Sequence, residues 1–89
     1  MKDKWQVYIL SCSDGTLYTG ITVNLPKRIA EHNSLSGGAK YTVGRRPVEL
    51  VYSEPATSRS EASRREYQIK KMSRSAKIVL ISERDSSNC

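Results

Sequence analysis

Residues 7–20, VYILSCSDGTLYTG, set two β-prone runs on either side of a turn, and each run carries a tyrosine. The runs Gln6–Leu10 and Thr16–Thr22 are rich in β-branched and aromatic residues. Ser11-Cys12-Ser13-Asp14-Gly15 between them supplies turn formers, and Gly15 is free to take a positive φ. A hairpin follows, with two registers open. A five-residue loop pairs Leu10 with Thr16 and Tyr8 with Tyr18, which sets both phenols on one face. A two-residue turn at Asp14-Gly15 instead pairs Tyr8 with Ile21.

Beyond the hairpin, Asn24 is placed to cap a helix over residues 25–33, with Pro26 in the first turn where its missing N–H is harmless. Leu25, Ile29 and Ala30 form the expected buried stripe, while Arg28 and His32, four residues apart, share another side. Residues 34–47 carry Gly37-Gly38, Gly44 and Pro47 together with Lys40, Arg45 and Arg46, and read as a cationic loop with at most one helical turn around Ala39 to Val43. Val48 to Ser53, between Pro47 and Pro55, is a third strand. Ser58-x-x-Glu61 is a capping-box signature that opens the strongest helix, expected to end at Met72 or Ser73. Steps of roughly 100° per residue group Ala62, Arg65, Glu66, Ile69 and Met72, so a carboxylate shares a side with apolar positions. Ser75 to Ser82 is short and β-branched and fits a helix or a strand, helix being preferred. The fold class is α/β in the α+β sense: a small three-stranded antiparallel sheet flanked by helices, one domain over residues 1–82, with 83–89 a polar, disordered tail.

With 89 residues and 37% hydrophobic content, one small domain with a modest core is all that fits. A formal charge of +6 points to a polyanionic partner, nucleic acid first, although charge alone also suits an ordinary basic protein. Cys12 and Cys89 have neither metal-ligand spacing nor the density of a disulfide scaffold, which suits a reducing cytoplasm. The apolar run near the N-terminus is too short for a signal-peptide core, and no stretch is long enough to span a membrane.

Several side chains carry chemistry. Between Arg59 and Lys77 stand seven Lys/Arg and two Glu, a local +5 that suits a phosphate track or simply a solvated helix face. Arg28 offers a guanidinium fork matched to two phosphate oxygens, and His32, the only histidine, can accept or relay a proton beside it. A strand tyrosine is ordinarily a half-buried sheet residue, and with a phenol pKa near 10 it needs a cation close by to act as a base. Glu66 is the candidate metal ligand, since Mg²⁺ is content with one carboxylate, water and substrate phosphate. Pairing with Arg65 or Lys70 is the plainer role for the same carboxylate.

In order and spacing these residues resemble the GIY-YIG nuclease domain. Gln6-Val7-Tyr8 stands where that family has its first signature triplet and Tyr18-Thr19-Gly20 where it has the second. The stretch YTGITVNLPKRIAEHN resembles the family's second strand and first helix, bringing the signature arginine onto Arg28 and a frequent histidine onto His32. GGAKYT (37–42) and EASRREYQIKKM (61–72) resemble the small stand-alone bacterial members and the structure-specific endonuclease branch, and the metal-binding glutamate falls on Glu66. Gln6 and Val7 replace the usual Gly and Ile, and Ile21 stands where some members have a lysine. The resemblance implies a divalent-metal-dependent endonuclease (Mg²⁺ or Mn²⁺) acting on nucleic acid, DNA favoured, in repair or processing. It implies catalytic Tyr8, Tyr18, Arg28, His32 and Glu66, with either Tyr8 or His32 as the base. Lys27, Lys40, Arg45, Arg46, Arg65, Lys70 and Lys71 are the expected phosphate contacts, and a protein partner can supply specificity. The alternative is a non-catalytic nucleic-acid-binding module, or a partner-dependent subunit, on the same fold.

Overall fold

The computed structural model describes residues 4–34 and 46–87. Its organising turn is closed by Gly15, which sits at φ +85°. The Gly15 N–H donates to the Cys12 carbonyl and the Cys12 N–H to the Thr16 carbonyl, each at 2.9 Å. The loop is therefore three residues, Ser13-Asp14-Gly15, a turn whose last position needs a left-handed residue. Asp14 Oδ1 accepts from the Thr16 N–H at 3.1 Å and from its hydroxyl at 2.6 Å, and Arg74 Nη1 donates to the Gly15 carbonyl at 2.7 Å.

That loop length fixes the pairing of β1 (Trp5–Cys12) with β2 (Leu17–Thr22): Tyr8 lies opposite Gly20 and Leu10 opposite Tyr18. Neither register open to the sequence forms, because the loop is intermediate between the two lengths considered. The two tyrosines are diagonal neighbours and still share a face. β3 (Val48–Ala56) pairs antiparallel with the other side of β1, giving the order β2-β1-β3, with a bulge at Val51, which falls between the Ile9–Tyr52 and Leu10–Leu50 pairs. The strand runs through Pro55 instead of stopping before it. On an edge strand the missing N–H can face away from the ladder.

Central β1 is buried on both sides, with Val7, Tyr8, Ile9 and Leu10 almost wholly covered. Val7 and Ile9 join Tyr52 beneath α2 (Arg59–Lys70), which contributes Ala62 and Ile69, and α3 (Arg74–Ser87), which adds Leu80 and Ile81. Thr19, opposite Ile9 on this face, is buried, and its hydroxyl finds no partner among the described residues. Tyr8, Leu10 and Cys12 face the other way, against Leu25 and Ile29 of α1 (Leu25–Asn33).

Helix starts follow their caps. Asn24 Oδ1 accepts from the Lys27 N–H and Ser58 Oγ from the Glu61 N–H, both at 3.2 Å, while the Glu61 carboxylate takes the Thr57 hydroxyl. α1 has the expected bounds, but Ala30 is exposed and His32 is fully buried, so the sheet turns the histidine inward rather than the alanine. α2 stops at Lys70, short of Met72, because Ser73 caps a new helix, its Oγ accepting from the Ala76 N–H at 3.2 Å. α3 resolves the choice over 75–82 and continues to Ser87, past the point where fraying was expected; no glycine or proline interrupts that stretch. At the other end of α1, Asn33 donates to the Val48 carbonyl at 3.1 Å and accepts from its N–H at 2.7 Å. The expected loop residues Gly37-Gly38, Lys40 and Arg45 lie outside the described residues. Among the described residues no helix is long and apolar enough to cross a membrane.

Gly15 gives a direct test. A methyl there meets nothing within 4 Å, so Gly15→Ala carries only the left-handed backbone penalty. It is expected to lower unfolding free energy by about 1–2 kcal/mol, read from urea denaturation midpoints.

Candidate active site

The site begins with a tyrosine in the wrong company. Tyr8 occupies the middle of an apolar strand and is 1% exposed, so its hydroxyl needs a partner inside the protein. His32 supplies it: Tyr8 Oη lies 2.9 Å from Nε2 of an imidazole that is 0% exposed. Tyr18 completes a triangle of rings, its centroid 6.3 Å from Tyr8 and 5.1 Å from His32.

Room for this arrangement comes from Gly20. A Cβ at that position would stand 2.6 Å from Tyr8 Oη, 2.7 Å from Cζ and 3.1 Å from Tyr18 Cε2, so the phenol lies across the bare backbone of β2. Arg28, one turn before His32 on α1, reaches the same phenol and is steadied by Glu31 Oε1 at 3.1 Å. Glu66 belongs to α2 on the other face of the sheet, yet its carboxylate is near enough to act on Tyr8 through space. It is half-buried and pairs with Lys70 Nζ at 3.3 Å.

These surroundings set the protonation states. Burial pushes the Tyr8 phenol up to about 12; the Arg28 hydrogen bond opposes the rise, and Tyr18 and Glu66 add to it. Burial, with the Arg28 charge, pulls His32 below its ordinary 6.5. At neutral pH the phenol thus keeps its proton and the imidazole is neutral. The O–H donating to a bare Nε2 is the arrangement both shifts favour, which leaves the ring proton on Nδ1.

Among the described residues no group of three or more His, Cys, Asp or Glu side chains is placed to hold a metal. Glu66 stands as a single carboxylate, a donor set that does not fit a zinc-type cage. It does fit a hard cation that keeps most of its water and takes the rest of its ligands from phosphate.

The basic residues divide. Lys27 is exposed on the first turn of α1, beside Arg28. Lys70 leans on Glu66, and Lys71 Nζ sits 4.7 Å from the exposed Tyr67 ring. Arg65, expected on phosphate, is engaged by β3: its Nε meets both oxygens of Glu54 at 3.0 and 3.2 Å, and Tyr52 donates to the same carboxylate. Arg46 Nη1 donates to the Ser34 carbonyl, joining the two ends of the 35–45 segment. Lys40 and Arg45 lie outside the described residues. The structure therefore gathers Tyr8, Tyr18, Arg28 and His32, with Glu66 in electrostatic range. Sequence reasoning passed over Gly20 and Glu31. A glycine within a strand signals a close approach, and an acid three residues after an arginine on a helix signals a pair.

Comparison with known proteins is consistent across sequence and structure. The GIY-YIG catalytic domain matches residues 4–78. A UPF0213 protein of Desulfotalea psychrophila is 60% identical over 77 residues, 86% of this chain and 70% of that protein. The solution structure of a UPF0213 protein from Bacillus halodurans shares 47% identity over 89% of this chain and 83% of its own, with a TM-score of 0.57. A solution structure of a protein from E. faecalis reaches a TM-score of 0.64 at 39% identity, covering 92% and 86% of the two chains.

Two measurements probe the site. Gly20→Ala drives a methyl against the hydroxyl end of Tyr8 and is expected to lower stability by about 1–3 kcal/mol and to shift the His32 ring resonances as the phenol is displaced. For pH, a histidine whose folded pKa is depressed contributes stability that is fully present above its unfolded value of about 6.5 and is lost as pH falls through the folded pKa. Urea midpoints should therefore drop as the solution is acidified below neutrality, and His32→Gln should flatten that slope.

Proposed function

The chain belongs to the GIY-YIG catalytic domain family, and we propose that it hydrolyses phosphodiester bonds in nucleic acid, DNA in preference, with one divalent cation, Mg²⁺ or Mn²⁺. The observation that carries this reading is the 2.9 Å contact between Tyr8 Oη and His32 Nε2, with Arg28 beside it. A hydrogen-bonded acid and base, buried next to a fixed cation, form a proton path that ordinary sheet packing does not require.

Tyr8 is too weak an acid to stand ready as phenolate at neutral pH, so it works as a relay. As the attacking water gives a proton to Tyr8 Oη, the phenol passes its own to His32 Nε2. The new hydroxide oxygen bonds to phosphorus, and the opposite P–O bond breaks, its electron pair leaving on the departing oxygen. Arg28, held by Glu31, binds the phosphoryl oxygens on which charge accumulates. Tyr18 packs against both members of the relay and fixes their rings. Glu66 would hold the cation, whose contribution when bound is to offset charge on the scissile phosphate and leaving oxygen. Of the cations expected on phosphate, Lys27, Lys70 and Lys71 are the described ones left to contact flanking phosphates, while Arg65 serves the fold through Glu54. Repair or processing of DNA is the process such an activity suits.

Labelled single-stranded, duplex and branched DNA, incubated with and without Mg²⁺ or Mn²⁺, tests the reading. Cleavage should require the metal and disappear in Glu66→Ala, and Tyr8→Phe should slow it by about 10²–10⁴-fold. Equal cleavage by the parent and both variants would sink the site assignment. Tight binding without cleavage of any substrate would make the chain a nucleic-acid-binding module instead.

A further inference from the structure

We propose that the cavity where β1 begins and α1 starts receives one unpaired nucleobase of the strand being cut, an assignment that rests on the nuclease reading above. The cavity has a volume of about 580 Å³, with Trp5, Val23, Pro26 and Pro55 among its apolar walls and Lys4 and Asn24 among its polar ones. That is the size of a small-molecule site, far larger than an ion needs and too small for a duplex. Its walls suit a flat, hydrophobic ring with a polar edge: an indole and two proline rings offer stacking surface without demanding a particular base.

Charge around the mouth favours a phosphate-bearing ligand over a neutral one. Lys4 lines the cavity, Lys27 follows Pro26, and the Arg59 guanidinium lies 5.9 Å from the centre of the Trp5 ring. The first turn of α1 carries no acidic residue. A second copy of this chain would bring the same cations to the same rim, which argues against self-association here.

Two residues of the cavity wall stand close along the chain to the proposed catalytic residues. Gln6, in its wall, precedes Tyr8 by two positions on the same face of β1, roughly 7 Å along the strand. Asn24, also in its wall, accepts the Arg28 N–H on its carbonyl at 3.0 Å, so the arginine is one turn of helix away. A nucleic-acid strand with its scissile phosphate at Arg28 and Tyr8 passes the mouth of the cavity, and a neighbouring base enters it only if that base is free of a partner. The site thus selects single strands, loops, ends and branch points over continuous duplex, a preference the catalytic residues alone do not dictate.

Trp5 is the only tryptophan in the chain, so tryptophan fluorescence comes from a residue that lines this cavity. The experiment titrates the protein, in chelator and without turnover, with a short single-stranded oligothymidylate and with an abasic strand of equal length and charge. The oligothymidylate is expected to quench Trp5 saturably and to bind about tenfold or more tightly than the abasic strand. Val23 is 44% exposed, and Val23→Glu, with an unchanged unfolding midpoint as its control, should erase that difference. Equal affinity for the two strands, or full retention of base-dependent binding in Val23→Glu, overturns the proposal. So does a Val23→Glu effect confined to self-association. In each of those cases metal-dependent cleavage lost in Glu66→Ala would leave the nuclease reading standing, whereas failure to bind nucleic acid of any form takes down both.

Discussion

A phenol buried in the middle of an apolar sheet strand is the constraint on which the rest of this structure turns. Leaving the Tyr8 hydroxyl unpartnered would cost roughly 1–3 kcal/mol, a large share of the stability of a domain this small. The hydrogen bond to His32 removes that penalty, and in doing so fixes how α1 lies on the sheet, since the helix must present its last turn inward. The requirement then propagates. The ring needs space, which Gly20 provides, and the imidazole must remain neutral, which its burial and the Arg28 charge ensure. One polar contact therefore couples the central strand, the edge strand and the first helix.

The same contact sits at a border between two electrostatic environments, which is what the proposed proton relay needs. On one side the apolar packing of Leu10, Cys12 and Leu25 raises the cost of charge. On the other stand Arg28 with Glu31 and Glu66 with Lys70, two ion pairs of opposite order that present both signs to an incoming phosphate. Arg65 contributes nothing to that field in the same way, because Glu54 and Tyr52 hold it on the β3 side. The excess charge between Arg59 and Lys77 is thus not a uniform track. Part of it is structural, and part is free for a polyanion.

Local signals were legible in the sequence and relational ones were not. Asn24 and Ser58 announced their helices because a cap depends on the next three residues alone, and both strands of the hairpin could be read from β-branched and aromatic content. The hairpin register could not, because it turned on whether two, three or five residues formed the loop, and each length has acceptable turn formers here. The spacing of Tyr8, Tyr18, Arg28, His32 and Glu66 marked the proposed set, but the burial of His32 was not legible: it depends on the angle at which α1 meets a sheet assembled from distant segments. The Arg65 ion pair failed to show for the same reason, its partner lying eleven residues away on another element.

Thr19 faces away from all of this. Its side chain lies on the α2 side of β2, next to Ile9, with a hydroxyl that no group among the described residues satisfies. Tyr18 and Gly20, its immediate neighbours, face Tyr8 and His32 and carry the constraints of that cluster. Alternation along a strand thereby separates two design problems within three consecutive residues: the outer two are bound to the packing around Tyr8 and His32, while the middle one is open to an aliphatic substitute. A hardier form of this domain, for crystallisation or for use at high temperature, is best sought at that middle position.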